Sequence, residues 1–531
     1  MPFSRASSHP DETPVDASSI NDIEKGEKRE ETEIGSVILG PTALLGCEPV
    51  ATKGSQEGAG PHRPISACDW NAPDDPANPL NWPLWTKVYH AVVPGLFGFA
   101  VTFGTSVYTP ATADIMHRFD VSRTTALLGL TVYVLGLAAG PVLSAPLSER
   151  HGRKIVYLIS SPVFMLFTLG AGLSKSFASL VVCRWFAGLT GSPALAVGAG
   201  TSADLFLPQH RAVVTSAFLA APFLGPSLGP IVGGLATQYR GWRWTQWCMI
   251  LITGVVFILA LPTKETYKMT ILKRRAKKHG ITIQRVSTGS SVSALKKSLV
   301  QNFLRPINML FTEPVVFFLS LYTAFAFGVL FLFFAAFPFV FQRPPYRFTV
   351  SQIGLTFIAI GTGVVMAALT GVLIDRIVYQ KHYRVAVAAG QTYAAPERRL
   401  YNMMLGCWGI PLGLFWFAWS AEKGLHWAVP VVAAVPFAWG NLCLFTSAAL
   451  YMVDVYGPQN GASAMAANGI FRYTLGAIFP LFTVQMYETM GTGWATSVLG
   501  FVSITMLPIP FIFFRYGPRI RAKSRYPVFM E

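Results

Sequence analysis

Charge is what this chain has least of. Of its 531 residues only 13% are Asp, Glu, Lys or Arg, about half the share of an ordinary soluble domain. Cysteine is sparse as well, and six in such a length exclude a secreted scaffold held by disulfides. No Gly-Lys pair occurs, which excludes the phosphate-cradling Gly-x-x-x-x-Gly-Lys loop of an ATP-driven pump. His-Glu-x-x-His, a helical zinc-protease motif, is missing too, and neither a metal nor a cofactor is expected. No Asn-x-Ser/Thr acceptor marks a glycosylated loop. What the chain does have is apolar: 52% of residues are hydrophobic and 13% aromatic, which excludes fibrous and wholly disordered classes. Its net charge of +16, from 42 Lys and Arg against 26 Asp and Glu, would by itself point to nucleic acid.

The positions of the charges remove that possibility. Residues 1–75 hold 14 of the 26 acids and six bases, a net −8, so the rest of the chain is net +24. This acidic stretch is rich in Ser, Pro and Gly and has no sustained apolar period. Residues 1–84 are therefore expected to form a disordered cytoplasmic tail. It lacks the basic start and apolar core of a signal peptide. A partner-binding or phosphoregulated tail is the alternative.

From about Lys87 onward the chain is a series of apolar runs, and a bilayer core needs roughly 20 such residues per spanning helix. Twelve runs occur, the first at 88–108 and the last at 494–514, separated by short segments of Gly, Pro, Asn or charge. The longest separator divides them six and six. The expected fold is all-α and integral to the membrane, with 12 transmembrane helices in two pseudo-symmetric halves. The expected divisions are a half at 85–262, a basic cytoplasmic loop at 263–312, a second half at 313–515 and a cytoplasmic tail at 516–531. With both termini inside, 32 Lys and Arg fall on the inner side and eight on the outer, which is the positive-inside bias. Lys273, Arg274, Arg275, Lys277 and Lys278 cluster in the central loop and serve as a topology anchor, or touch anionic lipid.

Two motifs carry more than composition. Between runs two and three the sequence reads Ala145-Pro-Leu-Ser-Glu149-Arg150-His151-Gly152-Arg153-Lys154. Gly152 permits a tight turn, the bases hold the loop on the inner side, and Glu149 can meet a helix N-terminus. A remnant, Gly371-Val-Leu-Ile-Asp375-Arg376, follows run eight, the equivalent place in the second half. Run five contains Gly225-Pro226-Ser-Leu-Gly229-Pro230-Ile-Val-Gly233-Gly234, whose glycines give one helix face on which a neighbouring backbone can close, while the prolines permit bending.

The loop resembles the G-x-x-x-[DE]-R-x-G-R-[RK] signature of the major facilitator superfamily, with Ala145 in place of its first glycine. The run-five pattern is similar to the G-x-x-x-G-P-x-x-G-G signature of the family's antiporters. Further stretches resemble the fungal twelve-helix drug:proton antiporters, among them Asp75-Pro-Ala-Asn-Pro-Leu-Asn-Trp82, Gly241-Trp-Arg-Trp244, Glu265-Thr-Tyr267 and Gly476-Ala-Ile-Phe-Pro480. The resemblance covers about residues 75–525. It implies proton-coupled efflux of a hydrophobic toxin, secondary metabolite or drug across the plasma membrane, or the vacuolar membrane, by a monomer. A polyamine exporter and an uptake symporter of the same fold are the alternatives. Small molecule, protons and lipid are the expected partners; neither enzymatic activity nor nucleic-acid binding is expected.

Only two bases lie inside apolar runs. A central Arg costs about 2.5–3.5 kcal/mol on insertion scales, so each should face protein or water. Arg184 stands in Arg184-Trp-Phe-Ala-Gly188, which looks like the family's R-x-x-x-G motif, and the resemblance associates that Arg with proton coupling. A guanidinium that never releases its proton would act by tuning a titrating neighbour, or would be a structural partner across helices. Arg472 stands in run eleven with Asn468 one turn before it, placed to hold a polar or anionic substrate or a helix contact. Proton-coupling and gating candidates are Arg184, Glu149, Arg150, Gly152, Arg153, Asp204 and Asp375. No carboxylate lies deep in a run, so no titrating group stands out. His90, the histidine closest to a run, is expected at the interface. Cavity candidates are Tyr108, Trp185, Tyr322, Phe325, Trp439, Asn441, Tyr451, Asn468 and Arg472. A polycation would need acids to replace its hydration, so this aromatic set favours a hydrophobic neutral or weakly anionic compound.

Overall fold

A computed structural model describes residues 69–72, 74–206, 208–279, 303–391 and 394–526. The acidic tail through residue 68, the middle of the central loop (280–302) and the last five residues of the expected C-terminal tail lie outside the described residues.

Among the described residues eleven helical stretches are long and apolar enough to cross a bilayer. The first half comprises α1 (Leu84–Phe119), α2 (Arg123–His151), α3 (Arg153–Leu173), α4 (Phe177–Leu205), α5 (Pro208–Arg240) and α6 (Arg243–Ala260). The second comprises α7 (Pro314–Gln342), α8 (Val350–Ala388), α9 (Pro396–Glu422) and α10 (Ala428–Gly457), then one 62-residue helical stretch, Asn460–Arg521. That stretch is broken at Gly491, whose φ of 75° no helix contains. It therefore supplies two crossings, α11 (460–490) and α12 (492–521).

Local chemistry sets the helix starts. Ser122 and Ser176 accept backbone N–H groups at the heads of α2 and α4. Thr349 and Gln352 form a reciprocal capping box at α8. Helix α1 outlasts its apolar run, passing through a 3-10 turn at Thr109–Ala111 before ending at Phe119. That turn places Tyr108 against α2.

Close packing rests on small residues, since lipid removes any hydrophobic drive between helices. A Cβ on Gly225 would lie 2.6 Å from the Phe103 nitrogen, one on Gly229 2.8 Å from the Val107 nitrogen, and one on Gly233 would strike the Val107 carbonyl. The three glycines thus form the α5 face that α1 occupies. The outward surface is apolar: on α6, Leu251, Val255 and Ile258 are 64%, 60% and 65% exposed. A stripe of this kind suits hydrocarbon and would be an aggregation site in water.

Two expectations change. Residues 74–84 are structured rather than disordered. The Asp75 carboxylate accepts from the Ala77 and Asn71 nitrogens at 2.9 and 3.2 Å, and from Arg275 at 2.7 Å. Short polar side chains that cap their own turn give this Pro-rich stretch a defined path. The central loop is also partly helical, with Lys268–Lys278 forming an 11-residue helix that carries the basic cluster.

Candidate functional site

One end of the bundle carries the loop motif, and an ion-pair system is built there from the first half. Gly152, at φ 99°, joins α2 to α3, and a Cβ at that position would collide with the Glu265 carboxylate. Glu265 accepts from the Arg153 and Lys154 nitrogens at 2.8 and 3.3 Å, so it caps the N-terminus of α3. This corrects the role expected for Glu149, which is exposed, as is Arg150; the acid that neutralises the helix end comes from beyond α6. Arg153 turns inward, its Nε 3.3 Å from Asp204 at the end of α4 and one guanidinium nitrogen 2.8 Å from Ser148 Oγ. Tyr267 lies beneath it, ring centroid 5.0 Å from the guanidinium. Burial, aided by the charge of Glu149, raises the Tyr267 phenol above its ordinary pKa.

The second half repeats the arrangement. Arg399, at the start of α9, pairs with Asp454 near the end of α10 at 2.8 Å and with Asp375 in α8 at 3.3 Å. Arg153 and Asp204 are 51 residues apart, and Arg399 and Asp454 are 55 apart. Asp375 was expected from the remnant motif, whereas Arg399 and Asp454 were missed. The matched spacing of an Arg at the third helix and an Asp at the fourth was the signal that could have found them. Glu397 pairs with Arg521 at 3.0 Å. Glu313, at the head of α7, is fully buried and accepts from Tyr456, Ser524 and the Arg525 nitrogen.

Arg184 occupies a different site, inside the first half. It is completely buried, and its Nε and one terminal nitrogen donate to the Gly129 and Gly104 carbonyls at 3.1 and 2.9 Å. Its guanidinium lies 4.6 and 4.4 Å from the ring centroids of Tyr108 and Tyr133. Those phenols donate in turn to the carbonyls of Ala126 and Val101. Arg184 thus ties α4 to α1 and α2 through acceptors that do not titrate, and among the described residues no carboxylate pairs with it. Four residues on, Gly188 meets the Tyr133 carbonyl with no room for a side chain. Tyr108 therefore belongs to the Arg184 site.

Arg472 lies about half-way along α11, 9% exposed, with the rings of Phe445, Tyr473 and Phe327 at 4.2, 4.6 and 4.8 Å. Phe223 of α5 joins them, 5.3 Å from Phe445 and 6.2 Å from Phe327, so the cluster stands where the two halves meet. Asn468 donates to Thr323 Oγ1 at 2.6 Å and to Ser320 Oγ at 3.3 Å. Asn441 donates to the Ala326 carbonyl, and Phe325 packs edge-on to Phe479. Tyr322 is buried with no partner for its hydroxyl. Trp439 donates to Thr370 and packs over Gly409, away from Arg472. Trp185 is half-buried, its carbonyl against Gly136, and Tyr451 is buried against Phe513. His90 is buried: one ring nitrogen contacts the Thr86 carbonyl and the other accepts from the Lys264 nitrogen. These partners fix it as the neutral tautomer.

Twelve apolar crossings, a repeated ion-pair system and a polar cluster between the halves define a membrane transport protein. The chain belongs to the major facilitator superfamily, whose model matches residues 95–481. It is 39% identical over 505 residues to Polyamine transporter 4 of Saccharomyces cerevisiae, covering 90% of this chain and 76% of that one. It is 34% identical to the efflux pump radE of Floropilus chiversii, covering 93% and 91%. Among solved structures it is similar to the proton:xylose symporter XylE, with a TM-score of 0.58, 15% identity, and coverage of 82% and 96%; at that identity the likeness is one of fold. The family and its named members are transporters and not enzymes.

Proposed function

We propose that the chain exports hydrophobic small molecules, fungal toxins, secondary metabolites or drugs, in exchange for protons across the plasma membrane, with both termini cytoplasmic. The observation that carries this reading is the lining between the halves. Phe327, Phe445 and Tyr473 surround the Arg472 cation there, and Phe223 of the first half packs on two of these rings. The described carboxylates of the bundle instead lie near helix ends or, for Asp375, in the ion pair with Arg399. An aromatic cluster without acids suits an apolar body and offers nothing to replace the hydration of a polycation. The Gly225–Gly234 face on α1 and α8 and a relative named as an efflux pump support the export direction.

Alternating access rests on the contacts between the halves, α5 against α8 and α2 against α11. The Arg153–Asp204 and Arg399–Asp375–Asp454 systems are gates that fasten helix ends on the motif face, with Glu149, Arg150 and Gly152 shaping the first. Arg184 sets the α1–α2–α4 geometry on which proton coupling depends. The similarity to a polyamine transporter favours a second reading, export of polyamines.

Efflux from proteoliposomes with an imposed pH gradient tests both. Gradient-driven transport of a hydrophobic toxin, reduced at least about tenfold by Arg184→Ala, is expected. Transport indifferent to the gradient removes the antiport reading, and spermine transport without toxin efflux replaces the substrate class.

A further inference from the structure

A guanidinium in the middle of a membrane bundle keeps its charge and needs acceptors or an anion around it. Arg184 has two glycine carbonyls, with one terminal nitrogen left over. Among the described residues Arg472 has neither a carbonyl nor a carboxylate in those roles, only the Tyr473 phenol as a polar partner. Its Nε has no hydrogen-bond partner, and among the described residues no Asp or Glu pairs with it. One turn earlier Asn468 is fully buried, spends its amide nitrogen on Ser320 and Thr323, and leaves Oδ1 with no donor. Two unmet buried polar atoms therefore stand one helical turn apart on α11. Beside them, Phe223 of the first half closes on Phe327 and Phe445 of the second.

We propose that Arg472 and Asn468 are the polar end of a substrate site for an organic monoanion with an apolar body, its anionic group a carboxylate. The carboxylate accepts from the Arg472 guanidinium, a charge-assisted contact that supplies the missing counter-charge. A donor group beside it on the same molecule meets Asn468 Oδ1. The apolar body lies among Phe223, Phe327 and Phe445, at the place both halves can reach. An uncompensated cation makes the site selective by sign, since it repels ammonium groups as strongly as it attracts carboxylates. This inference rests on the export reading and narrows its substrate class.

Binding to the full chain in lipid nanodiscs tests it, with empty nanodiscs as the blank. Three probes of one shape are compared by calorimetry: 2-naphthoate, 2-naphthamide and 2-naphthylmethylammonium. Wild type is expected to bind naphthoate about tenfold or more tightly than the amide, and the ammonium least. Arg472→Gln should erase the naphthoate preference, and Arg472→Lys should keep part of it, because the charge remains while the planar fork is lost. Absence of naphthoate binding to wild type, equal or tighter binding of the ammonium, or an unchanged preference in R472Q each overturns the site. Should R472Q fail to fold, a naphthoate-to-amide ratio in R472K equal to that of wild type overturns it as well. Because binding needs no gradient and no direction, the two readings fail separately. Arg472-dependent naphthoate binding without gradient-driven efflux sinks the export reading alone. Gradient-driven efflux with a preference that survives R472Q sinks the site alone.

Discussion

Burial decides what each ion pair is worth. Arg399 and its two aspartates are nearly inaccessible, with side chains 6%, 6% and 15% exposed, whereas Arg343 and Glu488 are 53% and 51% exposed. Removing one partner of a buried pair leaves an uncompensated charge and costs about 3–5 kcal/mol, while an exposed pair contributes about 0–1 kcal/mol. Arg399→Ala should therefore lower the thermal midpoint of the purified protein by several degrees, with Glu488→Gln leaving it within error. Equal midpoints for the two variants would refute the difference. Asp75 gives a pH-dependent case. Burial pushes its carboxyl up, but the backbone of Ala77 and Asn71 and the Arg275 guanidinium outweigh this and hold it below the usual carboxylate value. A depressed folded pKa means stability present above the unfolded value, about 3.9, and lost as pH falls through the folded one. Cleavage by pepsin within residues 74–81 should stay slow at pH 5 and rise steeply at lower pH, while Asp75→Asn is cleaved readily at both. A variant as resistant as wild type at pH 5 would remove Asp75 from this role.

Helix α5 shows how a seam of glycines is read as an element. Gly225, Gly229 and Gly233 recur every four residues, and each meets backbone of α1 between Thr102 and Val107. Ser106 Oγ donates to the Gly225 carbonyl across the same seam. A methyl group on Gly229 presses on both Ser106 and the Val107 nitrogen. Overpacking of this sort costs about 1–3 kcal/mol. Gly229→Ala should lower the thermal midpoint and slow efflux, and Ser106→Ala in the same chain should restore only part of the loss, because the α1 backbone cannot retreat. Full rescue by S106A would place the whole clash on the serine. The periodicity made this seam legible in the sequence, as it did the twelve crossings. Partners set by tertiary approach were not legible. Nothing local distinguishes Glu265 from Glu149 as the cap of α3, since the two stand on opposite sides of four helices. Arg399 read as one more loop base, because loop and helix start look alike in a basic segment. Arg184 and Arg472 were singled out by cost alone, and only their surroundings separate a cation held by backbone carbonyls from one among aromatic rings.

At the scale of the whole molecule the two halves meet along two pairs of helices. Thr131 Oγ1 donates to the Ala477 carbonyl at 3.0 Å, and Gln485 donates to Thr124 at 3.0 Å, so α2 and α11 are joined toward the end opposite the loop motif. Along α5 and α8 the halves meet again. Gly354 meets the Pro230 carbonyl with no room for a Cβ, and Ser227 donates to the Phe357 carbonyl at 2.9 Å. Nearer the motif end a Cβ on Gly371 would still touch Ser216 Oγ, at 3.4 Å. The helices are therefore fastened at the Thr124–Gln485 end. If rocking of the halves carries substrate, that fastened end must open once per cycle. Cysteines at positions 124 and 485, in a chain whose own six cysteines are replaced by alanine, should be bridged by a short bis-thiol reagent. Bridging should abolish efflux, and a cleavable bridge should return it on reduction. The single variants, Thr124→Cys and Gln485→Cys, treated with the same reagent separate blocking of the gate from modification of either residue. A bridged double variant that transports at the unbridged rate would show that this end does not open, and transport by rocking halves would be refuted with it.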